Sequence, residues 1–300
     1  MFKNAILYKI ISRDECLDAE SCLQQASFIP CVPSQEKSVG WVPPREAHGP
    51  MIESVGGQKI MKLMTETKTV PADVINRKTA ERCAQIEYDE GRKPGKKEAR
   101  DLKDEVRMTL LPHAFSKMAA TLVWIDPAAK LLLVDAPSQA KADEVVTALV
   151  QAMPGLSLSL VNTKVSPAAA MADWLVSQEA PQGFSVDREC ELKASDESKA
   201  VVKYGKHRLD IREITDHISA GKMPTKLALT WNDRVSFVLT DGMQIKKLAF
   251  LDVVFESASQ GKDDGFDADV AIATGELCKM IPDLLEALGG EFKDTDGTAS

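Results

Sequence analysis

Three hundred residues, 44% of them hydrophobic and 27% charged, are enough for two or three structural units around a sizeable core. That composition excludes a disordered, collagen-like or purely coiled-coil chain, and no stretch approaches the roughly 18 uninterrupted apolar residues of a membrane span. The formal net charge of −8 argues against a nucleic-acid binder, but its distribution matters more than its sum. From Asp252 to Ser300 twelve acids face three bases, whereas residues 1–251 carry 34 Lys/Arg against 33 Asp/Glu. The acidity therefore belongs to the C-terminal part.

In chain order, Ala5 to Ile11 reads as a strand, followed by a helix from about Asp14 to Ala26 with Ser12 or Asp14 as its N-cap. Gly40-Trp41-Val42-Pro43-Pro44 reads as a turn or extended segment, because its prolines exclude a helix. A strand pattern covers Gln58 to Thr69. Two helices follow, about 72–90 and 96–111, separated by Gly91-Arg92-Lys93-Pro94-Gly95. They form a charged hairpin with arms about 25 Å long, a projecting finger in which Pro112 kinks or restarts the second arm. Thr121–Ile125 and Lys130–Asp135 read as a strand pair around Asp126-Pro127, before a helix over 138–151 and a strand near 156–161.

Beyond Pro167 a helix carries Met171, Trp174 and Leu175. Strands are expected over 184–192, 200–204, 225–231, 235–240 and 244–250, with helices at 211–220 and 274–288. The implied fold class is α+β. A central mixed or antiparallel sheet domain (1–71 and 119–165), with helices on one face, carries an inserted helical-hairpin tip (72–118), and an α+β base follows (166–300).

Two basic stretches interrupt this pattern. In the first, Lys96, Arg100, Lys103 and Arg107 recur four, three and four residues apart, which places them on one helical face. Ala99, Leu102, Val106 and Leu110 follow on a neighbouring face, and Arg92, Lys93 and Lys97 extend the basic run. A solvated helix with internal ion pairs through Asp101, Asp104 and Glu105 explains the same spacing. The second stretch holds Lys199, Lys203, Lys206, Arg208 and Arg212 with His207 and the aromatic Tyr204, a pattern that nucleic acid or a plain surface hairpin accounts for.

Catalytic signatures are absent. No phosphate-binding loop, nucleophile elbow or H-E-x-x-H occurs, and the four histidines form no metal-spaced pair. Cys16, Cys22, Cys31, Cys83, Cys190 and Cys278 are scattered and read as reduced, mostly buried thiols of a cytoplasmic chain. No metal site and no cofactor are expected. For a metal-dependent nuclease, the one set worth retaining is Asp187 ahead of Glu191 and Lys193.

Longer strings carry a resemblance. Gly40-Trp41-Val42-Pro43-Pro44, Leu110-Leu111-Pro112-His113-Ala114-Phe115-Ser116, Trp124-Ile125-Asp126, Gln182-Gly183-Phe184, Glu213-Ile214-Thr215-Asp216-His217-Ile218 and Glu286-Ala287-Leu288-Gly289-Gly290-Glu291 are similar to the RdgC family of recombination-associated proteins, nearly end to end. The resemblance implies a nucleoid-associated, ring-shaped homodimer that binds double-stranded DNA, and possibly single strands, without sequence preference and restrains the RecA recombinase by occlusion. It implies no enzymatic activity. On that reading the DNA-binding candidates are Arg92, Lys93, Lys96, Lys97, Arg100, Lys103, Arg107, Lys117, Lys203, Lys206, Arg208 and Arg212. The dimer-interface candidates are His113, Phe115, Lys206 and His207, with Phe115 as an apolar plug in the partner. The acidic C-terminal part would then lie outside or at a base contact. A protein-only docking arm for the recombinase is the remaining alternative.

Overall fold

A computed structural model describes residues 1–12, 18–256 and 265–292. The N-terminal half is built from β1 (Ile6–Ser12), α1 (Ala19–Gln25), β2 (Lys37–Val42), β3 (Glu53–Val55), β4 (Gln58–Lys68), α2 (Ala72–Glu90), α3 (Lys96–Leu110), β5 (Ser116–Asp126), β6 (Leu131–Val134), α4 (Gln139–Ala152) and β7 (Ser157–Leu160). The C-terminal half comprises α5 (Pro167–Ser177), β8 (Phe184–Ala194), β9 (Val201–Gly205), α6 (Arg212–Ser219), β10 (Lys222–Trp231), β11 (Val235–Thr240), β12 (Ile245–Phe250), α7 (Asp252–Glu256) and α8 (Gly265–Ala287).

The strands form two antiparallel sheets, in the orders β2-β4-β5-β6-β1-β7, with β3 beside β4, and β12-β11-β10-β8-β9. Neither sheet is mixed, and the fold class is α+β. In the first sheet, alternation divides the apolar residues between two cores. Ile6, Tyr8, Met61, Leu63, Val123, Ile125, Leu132 and Val134 pack with Leu23 of α1 and with Val145 and Leu149 of α4. Leu7, Ile60, Trp124, Leu131 and Leu133 face the other way, into a cluster shared with α5, α8 and the second sheet. Both faces are thus covered, rather than one face by helices alone. This explains why Ile6-Leu7-Tyr8 and Leu131–Val134 read as unbroken apolar runs.

The first strand also closes the junction between the sheets. Ala5 N–H donates to the Ile245 carbonyl at 2.8 Å, and Ile245 N–H returns a bond to Ala5 at 3.0 Å. At the far edge Gly40 has a steric role, because a Cβ there would stand 2.3 Å from the Phe28 Cα. The crossing segment 26–28 hydrogen-bonds both backbone groups of Trp41.

Several boundaries differ from the expected ones. Asp18 caps α1 by accepting from Glu20 N–H at 3.1 Å; Asp14 lies outside the described residues, and Ser12 ends β1 instead. Pro112 terminates α3 in a 3-10 turn, and the chain goes directly into β5. The final helix begins at Gly265 instead of near Thr274 and contains Pro282. Of the five described cysteines only Cys190 is buried; Cys22, Cys31, Cys83 and Cys278 are half-buried free thiols, and Cys16 is outside the described residues.

Candidate nucleic-acid interface

The finger is set by its two ends. Gly91, at φ +68°, caps α2 with its N–H on the Glu87 carbonyl at 3.0 Å, a left-handed geometry that favours glycine. Glu98 reaches back to the Gly95 N–H at 3.3 Å and starts α3. At the root Ile75, Val106 and Leu111 are buried, whereas Tyr88 near the tip is 86% exposed. Apolar packing therefore anchors only the root, and the outer turns present side chains to solvent.

The basic residues divide into those with acid partners and those without. Arg92 grips Glu98 through both guanidinium nitrogens (2.7 and 3.0 Å) and also meets Glu90 at 2.7 Å. Lys93 lies 3.6 Å from Glu87. Arg107 points back to the sheet and holds Glu36. By contrast, Lys96, Lys97, Arg100 and Lys103 are exposed and have no ion pair among the described residues, and the same holds for Lys117 on β5. Three members of the row that the spacing placed on one face, Lys96, Arg100 and Lys103, remain uncompensated. The fourth, Arg107, serves the fold.

The second stretch lies elsewhere, on the edge strand β9 and the loop before α6. Lys203 is 3.1 Å from Glu191, Arg208 is 2.5 Å from Asp210, and Arg212 is 3.8 Å from Asp216. Lys199 and Lys206 are without an ion pair among the described residues, both at exposed positions, Lys206 with φ +55°. Tyr204 is half-buried against the core, tilted on His207 at 6.1 Å. Burial, followed by the neighbouring Glu213 carboxylate, pushes its hydroxyl up to about 12. It is not a free stacking platform. Among the described residues no hydrogen bond or ion pair joins the two basic stretches within one copy.

Of the interface candidates, Phe115 is 94% exposed immediately before β5. His113 is exposed in the 3-10 turn. The His207 ring donates from Nδ1 to the Arg208 carbonyl at 2.7 Å.

The carboxylates retained for a nuclease do not converge. Asp187 accepts from the Thr230 hydroxyl at 2.8 Å. Glu191 is enclosed by Lys226 (3.0 Å), Lys203 (3.1 Å) and Thr225 (2.9 Å). Burial works to raise the Glu191 pKa, but these hydrogen bonds outweigh it and hold the group at about 2. Among the described residues no cluster of His, Cys, Asp and Glu is arranged to hold a metal ion. Nor is any described helix long and apolar enough to cross a membrane.

The acidic C-terminal part is not simply an outer shield. Glu276 accepts both nitrogens of Arg234 at 2.7 Å, Asp283 accepts from the Trp231 indole at 2.8 Å, Glu291 pairs with Lys9 at 3.1 Å, and Asp267 pairs with Arg45. The partners that decide this picture, Glu36 for Arg107 and Glu191 for Lys203, are invisible to local spacing, since the first pair is separated by 71 residues.

Comparison with known proteins gives a consistent answer. A family model described as "Putative exonuclease, RdgC" matches residues 1–291. Proteins named "Recombination-associated protein RdgC" are similar along nearly their whole lengths. The one from Cupriavidus pinatubonensis is 46% identical, with 97% of this chain and 99% of that protein aligned. The one from Dechloromonas aromatica is 44% identical over 97% and 98% of the two chains. The one from Bordetella pertussis is 40% identical at the same coverage. With the family match and the relatives in agreement over the full described fold, this chain belongs to the RdgC family of recombination-associated proteins.

Proposed function

We propose that the protein binds DNA without sequence preference through phosphate contacts and acts as a homodimeric ring that encloses the duplex. The observation that carries this reading is the row of Lys96, Arg100 and Lys103, with Lys97 beside it, exposed on one helix of the finger and without an ion pair among the described residues. A lysine or arginine without a neighbouring carboxylate is free to replace the counterions of a phosphate. Contacts of this type position a duplex but read no bases. In a two-fold dimer each row occurs twice and faces its copy across an opening. Phe115, almost fully exposed at the finger root, is suited to close that opening against the partner.

A closed ring holding duplex DNA denies that stretch to the RecA recombinase without chemistry, and such a protein would reside on the nucleoid. The test is a mobility-shift titration with duplexes of unrelated sequence. Lys96→Glu combined with Arg100→Glu weakens all of them alike, and with roughly 6–8 phosphates neutralised the affinity falls with salt at a log–log slope of about −5 to −7. Loss confined to one sequence overturns the reading.

The word "exonuclease" in the family description supports a second reading, that of a nuclease. It is separated from the first by incubating the protein with Mg²⁺ and linear duplex. On the binding reading the DNA stays full length, and progressive shortening from the ends refutes it.

A further inference from the structure

β7 ends the first sheet, and among the described residues no strand lies beyond it. Val161 N–H donates to the Leu7 carbonyl at 3.0 Å, so by alternation Ser159 also turns its backbone toward β1. Leu158 and Leu160 turn theirs outward. The same parity holds two residues on, where the Asn162 carbonyl accepts from Phe292 N–H at 2.8 Å. Beyond that bond the outward groups of Leu158 and Leu160 have no partner among the described residues. The other strands that end a sheet are guarded. Segment 26–28 bonds to β2, Lys3 and Ala5 bond to β12, and β9 carries Lys203. β7 reads Ser-Leu-Ser-Leu, with neither a charge nor a proline, the devices that blunt an open edge. Exposed apolar side chains stand at both of its ends: Ile11 (61%) where β1 meets its start, and Leu160 (37%) and Phe292 (55%) at its finish.

We propose that this edge pairs with the same edge of a second copy and joins one DNA-bound ring to the next, an inference that rests on the ring reading above. A two-fold axis beside β7 sets the two strands antiparallel, so the outward N–H and carbonyl groups of each meet their complements on the other. The edge brings no like charges together, and Lys9 and Glu291 next to it pair with each other at 3.1 Å. The sequence after Phe292, Lys-Asp-Thr-Asp-Gly-Thr-Ala-Ser, is rich in residue types that strands avoid, which favours a second copy over the chain's own end as the occupant. A ring of two subunits carries two such edges, so neighbours link into an open row rather than a closed assembly. Four residues of strand, about 13 Å long, fall well short of the ~800 Å² per partner of a standing complex. The contact is therefore weak in solution and takes effect where the duplex holds copies close together.

The experiment titrates the full chain onto a duplex that holds one ring and onto one that holds several. Adjacent sites are expected to fill roughly tenfold more tightly than an isolated one. Leu160→Pro removes an outward N–H, and Leu160→Lys puts a charge on the edge. Each abolishes the gain, while the affinity for the one-ring duplex and the thermal midpoint stay at wild-type values; the lysine variant decides the matter should the proline variant fail to fold. Equal affinity for isolated and adjacent sites overturns the proposal, as does a gain that Leu160→Lys keeps. A gain seen only after residues 293–300 are removed assigns the edge to the chain's own end and overturns it too. Should the protein bind no DNA at all, the ring reading fails separately, and sedimentation of the DNA-free chain at roughly 0.1–1 mM then tests the edge alone. Self-association that Leu160→Lys removes upholds the pairing, and its absence overturns it.

Discussion

Arg107 and Glu36 meet across 71 residues of sequence: the guanidinium Nε lies 2.5 Å from one carboxylate oxygen and Nη2 lies 2.8 Å from the other. This contact fixes the root of the finger to the start of β2 and gives Arg107 an acid partner that Lys96, Arg100 and Lys103 lack among the described residues. Both side chains are about half exposed, so the pair contributes at most about 1 kcal/mol to global stability. Arg107→Gln is expected to leave the salt slope of DNA binding nearly unchanged, whereas Arg100→Gln reduces it by about 2 in a dimer, one lost contact per copy. Titrations at several salt concentrations compare the two. Equal slopes for both variants would show that Arg107 contacts DNA after all.

Phe115 offers a separation of stability from function. At 94% exposure its removal costs the monomer fold little, within about 0.5 kcal/mol. On the ring reading, Phe115→Ala dissociates from DNA faster while its denaturation midpoint stays at the wild-type value. Unchanged residence time on long duplexes contradicts the plug role.

Glu276 and Arg234 provide a buried counterpart to these surface residues. The hydrogen bonds from Arg234 lower the Glu276 pKa and outweigh the burial that raises it. A carboxyl with a depressed folded-state pKa contributes stability that is present above its unfolded value and is lost as pH falls through the folded one. Glu191, held at about 2, behaves alike. Wild-type stability is therefore expected to decline from about pH 5 toward pH 2, and Glu276→Gln to flatten part of that decline. Glu276→Ala costs roughly 3 kcal/mol at neutral pH, because Arg234 loses its partner in a largely buried setting. Chemical denaturation at stepped pH values measures both effects.

Gly40→Ala tests the crossing of the chain at the sheet edge. The added methyl would sit 2.3 Å from the Phe28 Cα and 2.5 Å from its nitrogen, both backbone atoms that cannot rotate aside. A loss of about 1–3 kcal/mol or more is expected in urea unfolding. Wild-type stability would mean that the segment 26–28 does not press against β2.

The finger was the most legible element. Pro71, the Pro/Gly tip and, for the second arm, a 3.6-residue rhythm delimit two helices, and both lie where those signals put them, at Ala72–Glu90 and Lys96–Leu110. Local signals were weaker for α8, whose first turns carry Gly265, Asp267 and Asp269 and mimic a loop until Arg45 and Phe266 stack at 5.0 Å. β2 was hidden by the prolines that follow it. The candidate interface was half legible: helical spacing identifies a cationic row, but which members are neutralised depends on carboxylates brought in by tertiary structure. Asp187 and Glu191 show the same dependence: they stand close in sequence, but Asp187 meets Thr230 while Glu191 meets Lys226, Lys203 and Thr225, partners that spacing does not give.

The exchange of backbone bonds between Ala5 and Ile245 bears on how the molecule folds. The two residues stand some 240 positions apart, whereas the ladder partners of β1, in β6 and β7, come much earlier in the sequence. Contacts so remote slow the search for the native arrangement. The first sheet is thus expected to assemble before it is fastened to the second, with that fastening a late step of refolding.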